Sequence, residues 1–501
     1  YEGCIQVGKF MNFVSATPVL KIPFWVLYLI LPLAFGLCIL RTAQDIVKQA
    51  KVTGPVDCLI AIVVGAVLCL PFILKLPIST AAYLFGYFVI LLIIGVPIAM
   101  SLGIAAIFTI WAAHPIDISY VAQLSFASID KAAIMAIPFF VASGDFMGVG
   151  GLSRRLFAMC DEFLGSAFGG LAIATVVTCV LFGAMSGSGP ATVAAIGALC
   201  IPAMVERGYD KKFATAVVAC AGAIGVLIPP SNPFVVYAIS ANVSVGKLFM
   251  AGIVPGLLVA AVLIAYSYYE ARKNGWRGEE RPRTVKTKLH AVWDSKWALM
   301  VPVIILGGIF SGKFTASEAA AVAVVYALIV SFLVYRDMTP KKLFEIMQGS
   351  AKTSAVIMII IACSGPFGWV LANYGIPNAI AESILGVSTN KYILMFVIAL
   401  IIIIAGVFME TSSAIIILTP VFLPLVQGLG VDLVHFGILF VVGIAIGMIT
   451  PPVAINLFVA SGITGKPIEL IAKAVIPYLL GLLIVFLLIV YVPLVVPGVI
   501  I

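Results

Sequence analysis

Two stretches of small and hydroxyl-bearing residues interrupt long apolar segments of the sequence. The first is Met185–Thr192 (MSGSGPAT) within the apolar stretch 168–204, and the second is Gly406–Ser413 (GVFMETSS) within 392–426. Glycine, serine and proline continue a helix poorly, so each stretch should expose carbonyls, N–H groups and hydroxyls. In lipid these groups must face protein or a cavity, and their oxygens suit a small alkali cation. A helix kink at a packing contact is the alternative interpretation.

Two Pro-Pro pairs lie in the middle of two other apolar runs. Gly225–Pro233 reads GVLIPPSNP, and Gly447–Asn456 reads GMITPPVAIN. Proline lacks the N–H that would bond the carbonyl four residues earlier, so each run should break in mid-membrane. In the first copy this leaves the carbonyls of Gly225 and Val226 free to attract a cation. The half-helix that starts near Asn232 favours an anion at its N-terminus.

Charged residues are rare within the apolar segments. Glu410 is an acid in such a segment, which is costly and usually functional. It either shapes an ion site electrostatically or caps the second helix of its hairpin, and both interpretations stay open. Asp145, in the motif SGD, is expected near a helix end with a structural role. The segment Gly307–Phe314 imitates an ATP-binding loop but ends in Phe where Ser or Thr must bind magnesium, which argues against an ATPase.

The composition indicates that these motifs belong to a membrane protein. Of 501 residues, 63% are hydrophobic and 10% are charged, whereas soluble domains have about 25% charged residues. The apolar runs are nearly continuous, unlike the alternating strands of a membrane barrel. The nine cysteines are scattered without a CxxC motif, which predicts neither a disulfide framework nor a zinc site. The net charge of +8 is concentrated in loops, a pattern of membrane topology rather than of nucleic-acid binding.

Apolar runs and helix breakers predict an all-α polytopic membrane protein. Membrane helices are expected at about 22–40, 57–74, 79–94, 97–113, 132–148, 213–243, 248–270, 297–312, 316–335, 353–373, 436–462 and 474–497. The arms of 168–204 and 392–426 have about 15–18 residues, or roughly 22–27 Å. The shorter arms fall short of the roughly 30 Å hydrocarbon core. Both stretches are therefore predicted to be re-entrant hairpins, with two ordinary tilted spans each as the alternative.

The distribution of basic residues supports this layout through the positive-inside rule. Five clusters fall on one side, namely Arg41–Lys51, Arg154–Arg155, Arg207–Lys212, Arg272–Lys296 and Arg336–Lys352. The intervening loops 114–131, 374–391 and 427–435 are poor in Lys and Arg. The polar stretch Glu270–Trp297 is expected to be a solvated cytoplasmic linker between two halves, and the C-terminus is expected outside.

A shift of 222 residues aligns two long stretches of the chain without a gap. Asp210 falls on Asp432, Pro229-Pro230 falls on Pro451-Pro452, and the two small-residue tips coincide. The loop after the first hairpin (VERGYDKKF) is basic, whereas its counterpart (QGLGVDLVH) has no Lys or Arg, so the two loops should face opposite sides. The repeat is therefore predicted to be inverted, as in many secondary transporters with a midplane site. A duplicated channel is the alternative.

At these motifs the sequence resembles the large membrane subunit of tripartite ATP-independent periplasmic (TRAP) transporters. The resemblance extends over about residues 79–501 and rests on SGSGPATVAAIG at 186–197, GVLIPPSNPFVVYA at 225–238, FTASEAAAVAVVYAL at 314–328, METSSAIIILTPVFLP at 409–424 and GMITPPVAINLFV at 447–459. Glu410 departs from the family, which often carries Asp there. Residues 1–50 resemble the end of the small membrane subunit and 51–78 a linker with a fusion helix, as in the sialic acid branch, so sequence upstream of Tyr1 is expected to be missing.

The resemblance implies an inverted-repeat, elevator-type transporter of the bacterial inner membrane, with repeats at 79–270 and 297–501 and a linker at 271–296. A transport domain of two hairpins and two broken helices would slide against a scaffold of the other helices and the small membrane subunit. The expected cargo is an organic anion, with sialic acid (N-acetylneuraminate) preferred, coupled to about two Na+ ions. A periplasmic substrate-binding protein is the expected partner, and no enzymatic activity is expected. A binding-protein-independent sodium/C4-dicarboxylate carrier and an ion channel remain the alternatives.

The resemblance also assigns ligand residues in this sequence. The first sodium site is expected at Ser186, Ser188 and the backbone of Gly225, Ile228 and Pro230. The second is expected at Gly406, Gly447, Thr450 and Val453. Substrate contacts are expected from Ser231, Asn232, Glu410, Thr411, Ser412 and Asn456.

Overall fold

A computed structural model describes residues 30–52, 79–113, 119–278, 283–387 and 390–496. These residues are helical apart from turns, connecting segments and one isolated bridge between Phe168 and Arg277. The chain divides into two compact units, residues 1–78 and 79–501. In the described part of the chain, nine helices, or ten if one bent pair counts as a span, are long and apolar enough to cross a membrane. The prediction of an all-α polytopic membrane protein is therefore confirmed.

Six helices precede the first hairpin in the described part of the chain, and two short ones among them were not predicted. In chain order they are α1 (Ile30–Val52), α2 (Thr80–Ile94), α3 (Ile98–Ala113), α4 (Ser119–Ile129), α5 (Ala136–Val149, preceded by a 3-10 turn at Ala132–Met135) and α6 (Leu152–Leu164). The short helices α4 and α6 occupy regions without a predicted span. In α6 the apolar residues are spaced so that they share one face of the helix, and Arg154 and Arg155 stand between them in the sequence. The helix therefore contains no continuous apolar run that would mark it as a span. The predicted span 57–74 and the start of 22–40 lie outside the described residues.

The first hairpin and the first broken helix form as the sequence predicts. They comprise α7 (Gly170–Ser186), α8 (Gly189–Glu206), α9 (Lys211–Gly222), α10 (Ile224–Leu227) and α11 (Asn232–Ala241). Gly187 ends α7 in a left-handed conformation, φ 59°, which a residue with a Cβ rarely adopts. The Pro229-Pro230 pair separates α10 from α11, and the chain bends by 41° between the residues 211–227 and α11.

The middle of the chain differs from prediction at the linker. Its helices are α12 (Val245–Asn274), α13 (Val285–Phe310), α14 (Ala316–Ile329, extended by a π turn at Val330–Val334), α15 (Pro340–Asn373) and α16 (Ile376–Val387). The helix predicted to begin near residue 297 begins earlier, at Val285, so the second part of the predicted linker 271–296 is helical, and most of its side chains are exposed. Thr284 caps this helix by accepting from the Thr287 N–H, and buried Ser295 donates to the Arg155 carbonyl of α6 at 2.8 Å. Capping and packing therefore make this polar segment helical.

The second hairpin and the second broken helix complete the described chain. They comprise α17 (Lys391–Phe408), α18 (Thr411–Gly428), α19 (Leu433–Gly447) and α20 (Ile455–Thr464), followed by α21 (Ile468–Val495). The Pro451-Pro452 pair lies between α19 and α20, and both Pro-Pro peptide bonds of the protein are cis.

The 222-residue repeat of the sequence is also a repeat of structure. Asp210 caps α9 and Asp432 caps α19, in each case by accepting backbone N–H groups of the first turn. Gly208 and Gly430 precede these caps with left-handed φ values of 82° and 63°. The same turn therefore joins each hairpin to its broken helix.

The two hairpins enter the molecule from opposite ends. The first broken helix packs along α8 of the first hairpin through α9 and along α18 of the second through α11. The second broken helix packs along α17 through α19 and along α8 through α20. From the middle of α11, the Tyr237 hydroxyl donates to the Leu433 carbonyl, beside the base of the second hairpin, at 2.8 Å. Each broken helix thus runs from the base of one hairpin past the tips toward the base of the other, so the repeat is inverted.

The substitution Asp432→Ala is expected to lower the free energy of unfolding by about 1 kcal/mol, because the N–H groups of Val434 and His435 lose their acceptor. Thermal unfolding of the purified protein in detergent measures this as a lowered Tm. Asp432→Asn keeps a side-chain acceptor and should retain most of the stability. Equal Tm values for the Ala variant and the parent protein would contradict the capping role.

Candidate functional site

Both hairpin tips and the first helix break line one cavity of about 650 Å³, which we call the central cavity. The tips contribute Ser186–Ala191 and Glu410–Ser413, and the break contributes Val226, Asn232 and Pro233. The volume lies within the range of small-molecule sites, roughly 300–1,000 Å³. Two interruptions that are far apart in the sequence therefore meet at a cavity large enough for a small organic molecule.

The rest of the cavity wall is largely apolar. It is formed by the start of α3 at residues 97–100, by α5 around Val141–Asp145 and by α15 from Thr353 to Ile360. Its charged group is the Asp145 carboxylate, which accepts a hydrogen bond from the buried Ser350 hydroxyl at 2.6 Å. Asp145 thus joins α5 to α15, the structural role expected from the sequence, and it also borders the cavity.

Three helices begin at the central cavity, α8 at Gly189, α11 at Asn232 and α18 at Thr411. A helix N-terminus carries a partial positive charge and free N–H groups, which favour an anion. The N-termini of α8 and α11 have no side-chain cap. Among the described residues that line this cavity, none is Lys or Arg. Its positive potential therefore comes from backbone groups, while Asp145 and Glu410 add negative charge.

Glu410 caps the third of these helices. Its carboxylate accepts from the backbone N–H groups of Ser412 at 2.9 Å and Ser413 at 3.2 Å, and from the Ser412 hydroxyl at 3.2 Å. The capping interpretation is therefore correct, and because Glu410 also lines the cavity, its charge lies at the site as well. The shift of 222 residues places Ser188 on Glu410, so the two tips are equivalent in position and different in charge.

Oxygen atoms of the first tip cluster beside the first broken helix. The hydroxyls of Ser186 and Thr192 lie 3.0 Å apart, and the Thr192 hydroxyl donates to the Ser188 carbonyl at 2.7 Å. A Cβ placed on Gly225 would lie 2.7 Å from that same carbonyl, so only glycine fits here. The structure thus brings Ser186, Ser188 and Gly225 together, as expected for a sodium site. Thr192 joins them although the resemblance did not assign it as a ligand; it belongs to the hydroxyl-bearing tip Met185–Thr192 that the sequence singled out.

The other residues assigned to this sodium site border the same tip. The Pro230 carbonyl oxygen lies 2.9 Å from the position that a Cβ on Gly187 would take. The side chain of Ile228 packs against Gly256 of α12, and its backbone N–H bonds the Ile224 carbonyl at 3.0 Å. The backbone of the break therefore follows the tip closely.

One predicted free carbonyl is not free. The Ser231 hydroxyl donates to the Val226 carbonyl at 2.6 Å, which replaces the N–H that Pro230 lacks. The prediction that Val226 offers an unpaired carbonyl is wrong, because the serine after the Pro-Pro pair satisfies it. Ser231 is fully buried and does not line the central cavity, so its assignment to substrate stays a prediction.

The second set of sodium residues is arranged around a close approach of two glycines. A Cβ on Gly406 would lie 3.2 Å from the Gly447 Cα, and in the first repeat a Cβ on Gly183 would lie 3.1 Å from the Gly225 Cα. The Thr450 hydroxyl donates to the Ile446 carbonyl at 2.7 Å, and Val453 is half-buried beyond the Pro-Pro pair. The backbone contact of hairpin and broken helix is thus repeated, while the polar contacts differ.

The predicted substrate residues divide between the cavity wall and the structure behind it. Asn232, Glu410, Thr411 and Ser412 line the central cavity. Asn456 instead lies behind the first tip, where its amide N–H donates to the Ala219 carbonyl at 3.3 Å. Its role in substrate binding stays a prediction, since it is not part of the cavity wall.

At the two helix breaks, the buried oxygens Oδ1 of Asn232 and Oδ1 of Asn456 lack a hydrogen-bond partner among the described residues. Each asparagine lies at the start of the half-helix that follows a break, and the Asn456 oxygen would lie 3.3 Å from a Cβ on Gly189 of the first tip. A buried acceptor without a partner is costly. Together with the hydroxyls and carbonyls of the tip, these oxygens fit a hard cation.

Comparisons with known proteins agree with this architecture. The family model of the tripartite ATP-independent periplasmic transporter, DctM component, matches residues 85–495. The isethionate TRAP transporter permease protein DctMQ of Oleidesulfovibrio alaskensis is 51% identical over 483 residues, 96% of this chain and 76% of that protein. The C4-dicarboxylate TRAP transporter large permease protein DctM of Rhodobacter capsulatus is 39% identical over 432 residues, 83% of this chain and 97% of that protein.

Two further similarities extend the comparison. The sialic acid TRAP transporter large permease protein SiaM of Vibrio cholerae is 34% identical over 403 residues, 80% of this chain and 94% of that protein. Among solved structures, the Alcanivorax borkumensis YdaH transporter has a TM-score of 0.57 at 14% identity and covers 75% of this chain and 88% of its own. At that identity the likeness concerns the fold alone.

The substitution Glu410→Ala is expected to expose the first turn of α18, because the N–H groups of Ser412 and Ser413 lose their acceptor. Hydrogen–deuterium exchange on the purified protein should show faster exchange in peptides that cover residues 411–414. The matched control is Glu469→Ala, which removes an exposed acid from the first turn of α21 and should leave those peptides unchanged. Unchanged exchange at 411–414 in the Glu410 variant would contradict the cap.

Proposed function

The chain belongs to the DctM component family of tripartite ATP-independent periplasmic transporters, and we propose that it imports a small organic acid together with sodium ions, with isethionate as the first candidate. The chain is a polytopic protein of the bacterial inner membrane. The observation that carries the proposal is the central cavity, where two inverted hairpin tips and three helix N-termini meet.

The choice of substrate rests on similarity and on the cavity wall. The isethionate permease is 51% identical over 96% of this chain, whereas the C4-dicarboxylate and sialic acid permeases are 39% and 34% identical over 83% and 80%. Isethionate is a two-carbon sulfonate with one hydroxyl, so its short carbon chain suits the apolar side formed by Val141, Ile357 and Ile360. Sialic acid carries many hydroxyls, which that side could not satisfy. C4-dicarboxylates therefore rank second and sialic acid third.

The charges at the central cavity support the proposal of sodium coupling. An anion placed beside Asp145 and Glu410, without Lys or Arg in the wall, needs positive charge from another source. The uncapped N-termini of α8 and α11 supply part of it. Sodium ions held by Ser186, Ser188, Thr192 and Gly225 on one side, and by the region of Gly406, Gly447 and Thr450 on the other, would supply the rest. Substrate and cation then stabilise each other's binding, which is the basis of symport.

The proposed partners follow from the family. A periplasmic binding protein would deliver the acid to the outer face, and residues 1–78 would correspond to a fused part of the small membrane subunit, as the name DctMQ of the first relative suggests. The hairpins and broken helices pack on one another through close glycine contacts. They would move together as the transport domain of an elevator, carrying the central cavity across the membrane.

Uptake into proteoliposomes tests this proposal. With an inward sodium gradient and the isethionate-binding protein, the purified transporter is expected to accumulate radiolabelled isethionate, and to accumulate succinate and sialic acid less well when each is offered with its own binding protein. Uptake that persists without any binding protein would establish the binding-protein-independent carrier instead. A sodium current without substrate would establish a channel, and uptake of sialic acid alone would restore the sialic acid assignment.

The substitution Thr192→Val tests the first sodium site. Loss of this hydroxyl is expected to raise the sodium concentration for half-maximal uptake about tenfold, which corresponds to roughly 1.4 kcal/mol of binding free energy. The matched control is Thr178→Val, which removes a buried hydroxyl of the same hairpin that bonds the Ala174 carbonyl at 2.6 Å, away from the tip. Equal sodium dependence in the two variants would contradict a ligand role for Thr192.

A further inference from the structure

We propose that a second, smaller cavity around Lys131 is an anion-binding vestibule, in which the organic acid is held before it enters the central cavity. The proposal rests on the transport function given above. The vestibule has a volume of about 270 Å³, and its polar lining consists of Lys131, Ser128, Ser240 and Ser364.

The vestibule lies between the same helices as the central cavity. Helices α11, α15 and α18 line both. The lining of the central cavity ends at Ser413 on α18, at Ile360 on α15 and at Pro233 on α11. The lining of the vestibule begins at Ile416, Ile361 and Val236 on the same helices and continues to Pro420, Gly368 and Ser240. Residue numbers increase along all three helices, so the vestibule lies about one to two turns, roughly 5–11 Å, beyond the central cavity.

This direction leads to the outer face of the membrane. Along α11 and α18 it points toward the base of the second hairpin, where Tyr237 contacts Leu433. The basic loop Arg207–Lys212 lies at the base of the first hairpin, at the opposite end. By the positive-inside rule the basic end is cytoplasmic. The vestibule is therefore on the side from which an imported solute arrives.

The charges of the two cavities are complementary. The vestibule contains Lys131 and, among its described lining residues, no acid. No ion pair within 4.0 Å joins the Lys131 ammonium to a carboxylate of the described residues. The central cavity contains Asp145 and Glu410 and, among its described lining residues, no base. An anion is thus attracted to the vestibule without sodium and to the central cavity only with sodium, which sets an order of events.

The three serines add hydrogen-bonding groups next to the ammonium. Their hydroxyls donate to carbonyls of their own helices, Ser128 to Leu124, Ser240 to Val236 and Ser364 to Ile361, at 2.7, 2.9 and 2.7 Å. A change of rotamer redirects a serine hydroxyl toward a ligand. Lys131 and these hydroxyls therefore suit the oxygens of a sulfonate or a carboxylate. Because the hydroxyls can return to their backbone carbonyls, we expect the anion to be held only briefly.

The test of the charge is the concentration dependence of isethionate uptake in proteoliposomes, with the binding protein and a sodium gradient. Lys131→Gln is expected to raise the KM about tenfold, the lower end of electrostatic focusing, with little change in kcat. Lys131→Arg is expected to restore the KM, because it restores the charge. The matched control is Lys313→Gln, which removes an exposed lysine on the loop between α13 and α14, outside both cavities and on the same predicted face.

A bulky side chain in the vestibule tests whether the anion passes through it on the way to the central cavity. Gly368 lines the vestibule, and a Cβ placed there would meet no atom within 4 Å. Gly368→Leu should therefore fill the space without displacing neighbours and lower the maximal rate of uptake at least about fivefold. The matched control is Gly307→Leu on α13, where a Cβ also meets nothing and neither cavity is lined, so its rate should equal that of the parent protein.

Three results would overturn the proposal that the vestibule holds the anion. The first is an equal KM for Lys131→Gln and Lys313→Gln in an active transporter, and the second is a full rate for Gly368→Leu. The third is a loss of affinity for the binding protein in Lys131→Gln, measured directly, that accounts for the whole change in KM, because Lys131 would then belong to the docking surface. If the parent protein takes up no isethionate, the proposed substrate fails instead, and the same variants compared on the acid that it does transport decide the vestibule.

Discussion

The backbone must satisfy its hydrogen-bonding groups within a membrane that offers no partner, and every interruption of a helix has to meet this constraint. The structure does so by bringing the hairpin tips to the broken helices. The Ser231 hydroxyl replaces the N–H that Pro230 lacks, and the Glu410 carboxylate accepts the first N–H groups of α18. The unpaired Oδ1 of Asn232 belongs to a residue of the central-cavity wall, whereas the unpaired Oδ1 of Asn456 lies behind the first tip. The interruptions thus leave hydrogen-bonding capacity at the central cavity and behind the first tip, the region where we propose that substrate and sodium bind.

Close contact between hairpin and broken helix is what allows this arrangement, and it depends on glycine. Gly183 faces Gly225 in the first repeat and Gly406 faces Gly447 in the second, at nearly the same separation. A side chain at any of the four would push the tip away from the break and separate the oxygens that we assign to sodium. Because both repeats use the same contact, a hairpin and its neighbouring half-helix form one packed body, which is what an elevator mechanism requires of its moving part.

The sequence predicted the interruptions better than it predicted what surrounds them. Proline and glycine act on the local backbone, so Pro229, Pro230 and Gly187 were sufficient to place the first break and the first tip. The Val226 carbonyl was misjudged, because its partner is the side chain of Ser231, and a side-chain partner becomes visible only in the fold. The helical start of α13 was missed for a related reason. Its stabilisation comes from the cap at Thr284 and from packing against α6, and neither contributes an apolar run.

The backbone of this protein is duplicated, but its charges are not. Ser188 and Glu410 occupy equivalent N-cap positions, yet only the second carries an acid, so the open anion-binding N-termini are those of α8 and α11. Lys131 has no counterpart in the central cavity, which has acids instead. An inverted repeat with symmetric charges would offer a solute the same energy from either side. In the transport cycle that we propose, this asymmetry of charge would give the symmetric fold an outer side that attracts anions and a centre that accepts them together with cations, and so would favour loading from outside.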